Sequence, residues 1–373
     1  MNNKRITAEI YLFDTCTLKC GYCHLAESGK VLDGTQLRPY NDKIFIEAMA
    51  TFFTSRSQVI WLLTLTGGEP LLMPNLPLFG KLFSINNNKL AFYTALVVGA
   101  EHPSFRWLLE HGAPCTEYIM ASFHSESERV ESDFFERLRL LKCAGHSVIF
   151  RFVGHPDRLE RIHCLAEKCE KLDIAFYPTT LFSETHPTAY TNEQRAKLTE
   201  HFTSMSQFIQ LENGLDTTFL KCSAGSKLIS IDMRTGAITP CITVSSPVLG
   251  NLYENRLDLF EGVRECPKKG IACSCDVHFQ QDIVSEAYDS ANFLKLKLGY
   301  VPPVKGESFF KGREELRYYD GKQLIGQTKT ANMPSLQSNV VKDQYEKNKA
   351  YLEDGYLQDN HFEFQSRQLN RLP

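Results

Sequence analysis

The first half of the chain alternates between short apolar runs and longer amphipathic segments, and this alternation constrains the fold more than any other feature. The apolar runs are rich in β-branched and aromatic residues, which favours strands. They predict six strands, at residues 8–13, 60–65, 90–97, 118–123, 148–153 and 174–177. Strands that alternate with helices are joined in parallel by right-handed crossovers. The pattern therefore predicts an α/β fold whose six units fall short of the eight of a closed barrel.

The segments between these strands have the apolar spacing of amphipathic helices. Helices are predicted at residues 42–54, 105–112, 133–144 and 157–172. Gly112 and Gly145 stand where the C-terminal stops of two of these helices are expected. One further helix is predicted at residues 191–210, with Asn192 as its cap.

The second half of the chain is less regular. The segment LISIDMRTGAI, residues 228–238, alternates apolar and polar residues around a turn sequence that contains Gly236, which predicts a β-hairpin. After residue 300 the chain becomes polar, with a second hairpin predicted in residues 312–329 and a short helix in residues 340–351. This tail either packs over the open barrel or forms a partner-binding arm, and the sequence leaves both readings open.

Size, charge and cysteine usage limit the class of protein. The 373 residues can bury a full core and form two domains, and the net charge of −3 without a long basic run argues against a nucleic-acid surface. The N-terminus is too polar for a signal peptide, and no apolar stretch of about 18 residues occurs. Twelve cysteines in such a chain favour metal or redox chemistry in a reducing compartment over disulfides. We therefore expect a cytoplasmic protein with neither a membrane nor a nucleic-acid partner.

Three cysteines lie close to the N-terminus in the run TCTLKCGYCHL. Cys16, Cys20 and Cys23 have the spacing C-x3-C-x2-C, which places three thiolates on one short loop. An iron–sulfur cube binds four ligands, so this loop can hold the cube and leave one iron free. A free iron is a place where a small molecule can bind and be reduced.

A second motif follows the second apolar run, in WLLTLTGGEPLL. It consists of Gly67, Gly68, Glu69 and Pro70. Together with the cysteine loop, in which the aromatic Tyr22 precedes the last cysteine, it resembles the radical S-adenosylmethionine (radical SAM) superfamily. The resemblance implies that this motif holds the amino group of the methionine moiety. Glycines without side chains let the backbone approach the methionine closely, and Glu69 and Pro70 fix the end of the turn.

The resemblance also implies a fold and a chemistry. Residues 1–185 would form a partial (β/α)6 TIM-like barrel. Cys16, Cys20 and Cys23 would ligate a [4Fe–4S] cluster whose fourth iron is chelated by S-adenosylmethionine. Electron transfer from the reduced cluster would then give methionine and a 5′-deoxyadenosyl radical, which removes a hydrogen atom from a substrate. A flavodoxin- or ferredoxin-type protein is the expected electron donor.

Further cofactor contacts are implied near the ends of strands four and five. The family commonly places a polar side chain near the ribose, and Ser122 fits that place. Arg151 lies among apolar neighbours, where a charge needs a partner, either the methionine carboxylate or a nearby Asp or Glu. His124 and His155 are interpreted as structural histidines.

A structural zinc site is the alternative for the first cysteine loop. Zinc takes four nitrogen or sulfur ligands, and His24 directly after Cys23 would have to be the fourth. A zinc site has no need of the Gly-Gly-Glu-Pro motif downstream, so the cluster interpretation is favoured.

A second group of cysteines follows residue 220. The spacing C-x13-G-x4-C resembles the opening of the SPASM domain and of its shorter relative, the twitch domain, in which a hairpin supplies two ligands of an auxiliary [4Fe–4S] cluster. One cluster needs four ligands, so five cysteines fit the twitch type. We favour Cys222, Cys241, Cys273 and Cys275 as ligands, with Cys266 able to replace one of them. A structural zinc site is again the alternative. The remaining cysteines are predicted to be structural: Cys115, Cys143, Cys164 and Cys169.

These interpretations divide the chain into four parts. Residues 1–185 are the radical SAM core, 186–215 a linker helix, 216–285 the twitch/SPASM-like domain and 286–373 an extension of unassigned role.

The auxiliary cluster favours a net oxidation, since it could accept an electron from a substrate radical. A small molecule such as a sugar or aminocyclitol alcohol is the favoured substrate, because only fifteen residues precede Cys16 and a leader-binding domain is not expected there. A ribosomal-peptide maturase (thioether or C–C crosslink, or epimerisation) is the alternative, and a non-catalytic iron–sulfur or zinc scaffold is the second. No catalytic residue is assigned; Tyr177, Glu184 and His186 near the sixth strand are candidates for proton transfer.

Overall fold

A computed structural model describes most of the first half of the chain and short parts of the second. The described residues are 4–13, 15–23, 42–181, 190–202, 207, 215–216, 221–242, 247–262, 264–265, 272–273, 315–320 and 323–329. They belong to two compact units. The first comprises the described residues within 1–151, 172–174 and 224–261, and the second those within 152–171, 175–223 and 262–373.

The strands follow one another along both units. In chain order they are β1 (Lys4–Tyr11), β2 (Val59–Thr66), β3 (Lys89–Thr94), β4 (Thr116–Phe123), β5 (Val148–Gly154), β6 (Ala175–Thr180), β7 (Leu215–Asp216), β8 (Lys221–Cys222), β9 (Leu228–Asp232), β10 (Ala237–Thr239), β11 (Gly250–Asn251), β12 (Arg256–Leu257), β13 (Arg264–Glu265), β14 (Ala272–Cys273), β15 (Glu315–Asp320) and β16 (Gln323–Lys329).

The main sheet has the order β12-β11-β10-β9-β1-β2-β3-β4-β5-β6. Strands β1 to β4 pair in parallel with their neighbours, and β9 also pairs in parallel with β1. The last three residues of β5 and all of β6 belong to the second unit. The six predicted strands are therefore present in sequential order and separated by helical segments, which confirms the α/β class.

The helices lie between these strands. They are α1 (Lys43–Thr54), α2 (Leu76–Phe83), α3 (Pro103–Trp107), α4 (Glu131–Cys143), α5 (Ile162–Lys171) and α6 (Asn192–Thr199). A π-helical turn (Leu108–Gly112) continues α3, and 3-10 turns are found at Pro70–Leu72, Ile85–Asn87, Ala113–Cys115, Ser125–Val130 and Pro156–Arg161. Among the described residues, none of the helices combines the length and the apolar character needed to cross a membrane.

The core of the first unit lies between the sheet and its helices. Trp61 of β2 and Phe83 of α2 both pack edge-on against Phe53 of α1, with ring centroids 5.3 Å apart in each case. Further along the sheet, Phe134 of α4 packs against Phe123 of β4 and Phe150 of β5, at 5.0 and 5.8 Å. Because side chains alternate along a strand, these aromatic residues define the helix-facing side of the sheet and their neighbours face the other way.

Three predicted helices begin or end differently from the expectation. The predicted helix 105–112 begins at Pro103 and becomes a π-helical turn after Trp107. The predicted helix 157–172 begins as a 3-10 turn, and its α-helical part is Ile162–Lys171. Residues 191–210 do not form one helix. Thr191 rather than Asn192 caps α6, through a reciprocal capping box with Gln194, and α6 ends at Thr199.

One helix, α2, was missed. Its Gly80 disfavours a helix by propensity, but a Cβ at that position would lie 2.3 Å from the Trp107 ring. The glycine therefore allows α2 to pack closely against α3, a tertiary requirement that the local sequence does not show.

Both predicted hairpins are found. Strands β9 and β10 pair in antiparallel orientation across the turn that contains Gly236, at φ +74°. Strands β15 and β16 form the second hairpin. The predicted helix at 340–351 lies outside the described residues, and the predicted division into four domains stays a prediction.

Candidate functional site

The first cysteine loop leaves the sheet at the C-terminal end of β1. Cys20 is buried, and Cys16 and Cys23 are half-buried. A turn brings two of them together, since the Cys23 amide donates to the Cys20 carbonyl over 3.0 Å. The Cys16 sulfur accepts from the Leu18 amide at 3.4 Å, a contact that suits a thiolate. The loop thus holds its sulfur atoms against the protein interior.

The electrostatics of the loop fit a positively charged metal group. Burial raises the pKa of Cys16 to about 11, and the nearby Glu69 and Cys23 add to the rise. Burial also raises the pKa of Cys20, helped by a hydrogen bond to Glu126 and by the other two cysteines. Without a cation these thiols stay protonated. Metal coordination deprotonates thiols, so Cys16 and Cys20 suit a metal-bound state and are poorly suited to exist as free thiolates.

The Gly-Gly-Glu-Pro segment clamps this loop onto the end of β2. The Gly68 amide donates to the Phe13 carbonyl at 2.6 Å, and the Glu69 amide donates to the Thr15 carbonyl at 2.8 Å. Gly67 has φ +118°, and a Cβ there would lie 2.7 Å from the Phe13 oxygen. The sequence interpretation gave this glycine a role in approaching a ligand. The structure adds that it is needed for the close approach of two segments of the protein's own backbone.

The side chain of Glu69 links β2 to β3. It is fully buried, and its carboxylate accepts from the Thr94 hydroxyl at 2.6 Å, the Leu71 amide at 3.0 Å and the Ala95 amide at 2.8 Å. Burial raises the pKa of Glu69, while these donors oppose the rise. The predicted role of Glu69 in fixing the turn agrees with this network. Thr94 was missed by the sequence analysis, although a polar residue at the end of an apolar strand was a usable signal.

Tyr22 connects the cysteine loop to the segment after β4. Its hydroxyl lies 3.1 Å from Nδ1 of His124 and accepts from the Ser125 amide at 3.4 Å. The two rings also stack, with centroids 6.0 Å apart. His124 thus has a structural partner, as predicted. The aromatic residue before the third cysteine therefore fixes the loop against the β4 end of the same unit.

Ser122 and Arg151 share the side of the sheet that faces away from α4. Each directly neighbours in sequence an aromatic residue that packs on that helix, so alternation places both on the opposite, inner side. The Nε atom of Arg151 is buried and has no hydrogen-bond partner among the described residues. The alternative of a core-edge ion pair for Arg151 is likewise not found within them. A half-buried arginine whose Nε has no hydrogen-bond partner among the described residues fits a ligand carboxylate.

The inner side of the sheet is polar along its middle. Glu9 of β1 is directly paired with Thr64 of β2 on one side and with Ser230 of β9 on the other. All three are buried, and the Thr64 hydroxyl has no hydrogen-bond partner in the described part of the chain. A buried hydroxyl without a hydrogen-bond partner costs free energy, so a polar group of a ligand on this face would stabilise Thr64. Glu9 was not predicted, because a single acidic residue in an apolar strand resembles an exposed position.

The late cysteines are described only in part. Cys222 is half-buried in β8 of the second unit, opposite Arg264 of β13. Cys241 is buried and belongs to the first unit. Cys273 pairs with Leu215 in two short strands. Cys266 and Cys275 lie outside the described residues, so the auxiliary cluster stays a prediction.

Of the three candidates for proton transfer, the structure describes Tyr177 alone. Tyr177 is buried in β6 of the second unit. Glu184 and His186 lie outside the described residues.

No protein-family model matches the chain. Among solved structures it is similar to SuiB from Streptococcus suis, at 14% identity over 68% of this chain and 64% of SuiB, with a TM-score of 0.46. It is also similar to anSMEcpe with bound AdoMet, at 13% identity over 67% of this chain and 78% of that chain, with a TM-score of 0.47. A complex of anSMEcpe with AdoMet and the Kp18Cys peptide aligns over 99% of this chain and all of that one, at 11% identity and a TM-score of 0.49. The chain spans less than two thirds of SuiB.

Proposed function

We propose that the protein is a radical SAM enzyme. The observation that carries this proposal is the clamp between its two motifs. The three-cysteine loop is fixed to the end of β2 by hydrogen bonds from Gly68 and Glu69. A loop that served only a zinc ion would not require a left-handed glycine and a buried glutamate from another strand. Both motifs act on one place, as the resemblance requires.

The chain offers the groups that such a cofactor needs. Cys16, Cys20 and Cys23 would hold a [4Fe–4S] cluster. Gly67 to Pro70 would lie along the methionine amino group, and the half-buried Arg151 would offer its guanidinium to the carboxylate. Ser122 is available for the ribose. When bound, the cluster supplies the electron that cleaves S-adenosylmethionine.

The protein's own residues would position these groups and limit access of water. Glu69 fixes the ends of β2 and β3 through three hydrogen bonds. Tyr22 holds the loop against the segment after β4. Such preorganisation by hydrogen bonds is what keeps a reactive site in one geometry.

The polar row around Glu9 supports a substrate with several hydrogen-bonding groups. This agrees with a net oxidation of a small hydroxyl-rich molecule such as a sugar or aminocyclitol, with an electron passing to an auxiliary cluster held by the late cysteines. A peptide maturase is the alternative, and products distinguish the two.

The decisive experiment is anaerobic reconstitution with iron and sulfide, followed by an iron count and an assay of S-adenosylmethionine cleavage under dithionite. We expect about eight irons per chain and formation of 5′-deoxyadenosine. About four irons together with cleavage would support the first cluster alone. The auxiliary cluster and the proposed net oxidation would then be ruled out. Absence of cleavage in a fully loaded protein would overturn the assignment as a radical SAM enzyme.

A further inference from the structure

We propose that His163 and His201 form a binding site for one divalent transition-metal ion, oriented by Glu200, on the second unit. His163 lies near the start of α5, and Glu200 and His201 directly follow α6. All three belong to the second unit and none lies in either cysteine group. The site is therefore independent of the proposed cluster chemistry.

The donor atoms converge. Nε2 of His201 lies 2.9 Å from Nδ1 of His163, and Nε2 of His163 lies 3.4 Å from a carboxylate oxygen of Glu200. One donor atom from each residue falls within 4.8 Å of the other two. These residues come from separate helices, so only the packing of α5 and α6 brings them together.

The protonation states favour a metal ion. Two imidazole nitrogens at hydrogen-bond distance share at most one proton between them. A neutral imidazole is the form that binds metals, so this pair of nitrogens offers a lone pair to a metal ion.

A histidine whose second ring nitrogen faces a carboxylate is common in metal sites. A ligating histidine usually donates its other ring N–H to a carboxylate, which fixes its tautomer and raises its basicity. His163 has this arrangement, with Nδ1 directed at His201 and Nε2 at Glu200. Tetrahedral zinc with Zn–N bonds of about 2.0–2.1 Å separates two nitrogens by about 3.3 Å, so only a small side-chain adjustment is needed.

The nearby lysine does not occupy the Glu200 carboxylate, which can therefore orient His163. Lys197, one turn before His201, is bound to Glu160 and Glu193. Within the described residues, Glu200 has only His163 as an ion-pair partner. His163 is about half exposed, so water or an added ligand can complete the coordination sphere. Imidazole donors suit Zn²⁺, Ni²⁺ or Cu²⁺.

Zinc binding to the reconstituted protein tests the proposal. The protein is equilibrated with Zn²⁺, desalted and analysed for zinc and iron per chain, and its affinity is measured by calorimetry. We expect one zinc that is lost in His163→Gln and His201→Gln, and a 10- to 100-fold weaker site in Glu200→Gln. The iron content should not change, which separates this site from the cysteine groups.

His111→Gln is the matched control. His111 is exposed, and its Nε2 lies 3.8 Å from a carboxylate oxygen of Glu110. Among the described residues, His111 belongs to no group of three potential metal ligands. Its substitution should leave the zinc content unchanged. If His201→Gln fails to fold because His201 is largely buried, the exposed His163→Gln decides alone. A zinc content that is the same in native protein and His163→Gln would overturn the proposal.

Discussion

The two cysteine groups of this chain are built in different ways. The first lies in one loop that is held at both sides, by the Gly-Gly-Glu-Pro segment of β2 and by Tyr22 against the end of β4. The late group is spread over two units, with Cys222 and Cys273 in strands of only two residues. The first site is thus prepared by backbone hydrogen bonds before any metal binds. We expect the late segments to depend more on the metal itself for their order, since metal binding can supply folding free energy.

The largest expected effect separates the two groups directly. Cys20→Ala should remove about four irons and abolish S-adenosylmethionine cleavage, because the first cluster loses a ligand. The double variant Cys222→Ala/Cys241→Ala should also lose about four irons but retain cleavage. Iron analysis and the 5′-deoxyadenosine assay check both. Exposed Cys143→Ala is the control and should behave as native. If the late double variant lost cleavage as completely as Cys20→Ala, the two groups would not be separable.

The next prediction tests whether the hydrogen bonds between the Gly-Gly-Glu-Pro segment and the first cysteine loop fix that loop before metal binds. Gly67→Ala forces a side chain into a positive-φ position against the Phe13 carbonyl, so we expect a loss of about 1–3 kcal/mol in unfolding free energy and poor iron loading. Denaturant unfolding of the metal-free protein and the iron count measure these. Gly21→Ala, in the same loop, meets no atom within 4 Å and should load iron normally. Equal loading of the two variants would show that the clamp is dispensable.

A smaller and more specific effect concerns Arg151. Arg151→Met should weaken S-adenosylmethionine binding by about 10- to 100-fold without loss of iron, because a charge-assisted hydrogen bond from the half-buried Arg151 is removed. Calorimetry on the reconstituted protein measures the affinity. Arg139→Met is the control, since Arg139 is exposed and bound to Glu136. Unchanged affinity in Arg151→Met would assign this arginine a structural role instead.

The smallest expected effect is the pH dependence of the first unit. His146 is buried after α4, with Nε2 placed 2.9 Å from the Leu108 carbonyl, and burial lowers its pKa. The folded state therefore binds this proton less readily than the unfolded state. The contribution of His146 to the free energy of unfolding is present at neutral pH and is lost as pH falls below about 6.5, by about 1.4 kcal/mol per pH unit at most. Unfolding of the metal-free protein from pH 5 to 8 should show this dependence, and His146→Gln should reduce it.

The sequence predicted the parallel strands well, for a physical reason. They are local signals, since an apolar run such as that in β2 is visible within ten residues. Contacts between distant segments were not visible. The packing of Gly80 on Trp107, the bond from Thr94 to Glu69 and the pairing of His163 with His201 all join residues from different elements. The early end of α6 was missed for a related reason, because Phe202 turns into the core and its amide closes the last turn on Thr199.

The parallel pairing of β9 with β1 has a consequence for biosynthesis. Thr7 is paired with Leu228, so β1 acquires one of its two neighbours only after more than two hundred further residues have been made. At about 5–20 residues per second, β1 waits on the order of 10–40 s with one edge open. An open strand edge is a template for association with other chains. Nascent chains that stall before residue 228 should therefore be the ones most prone to aggregate.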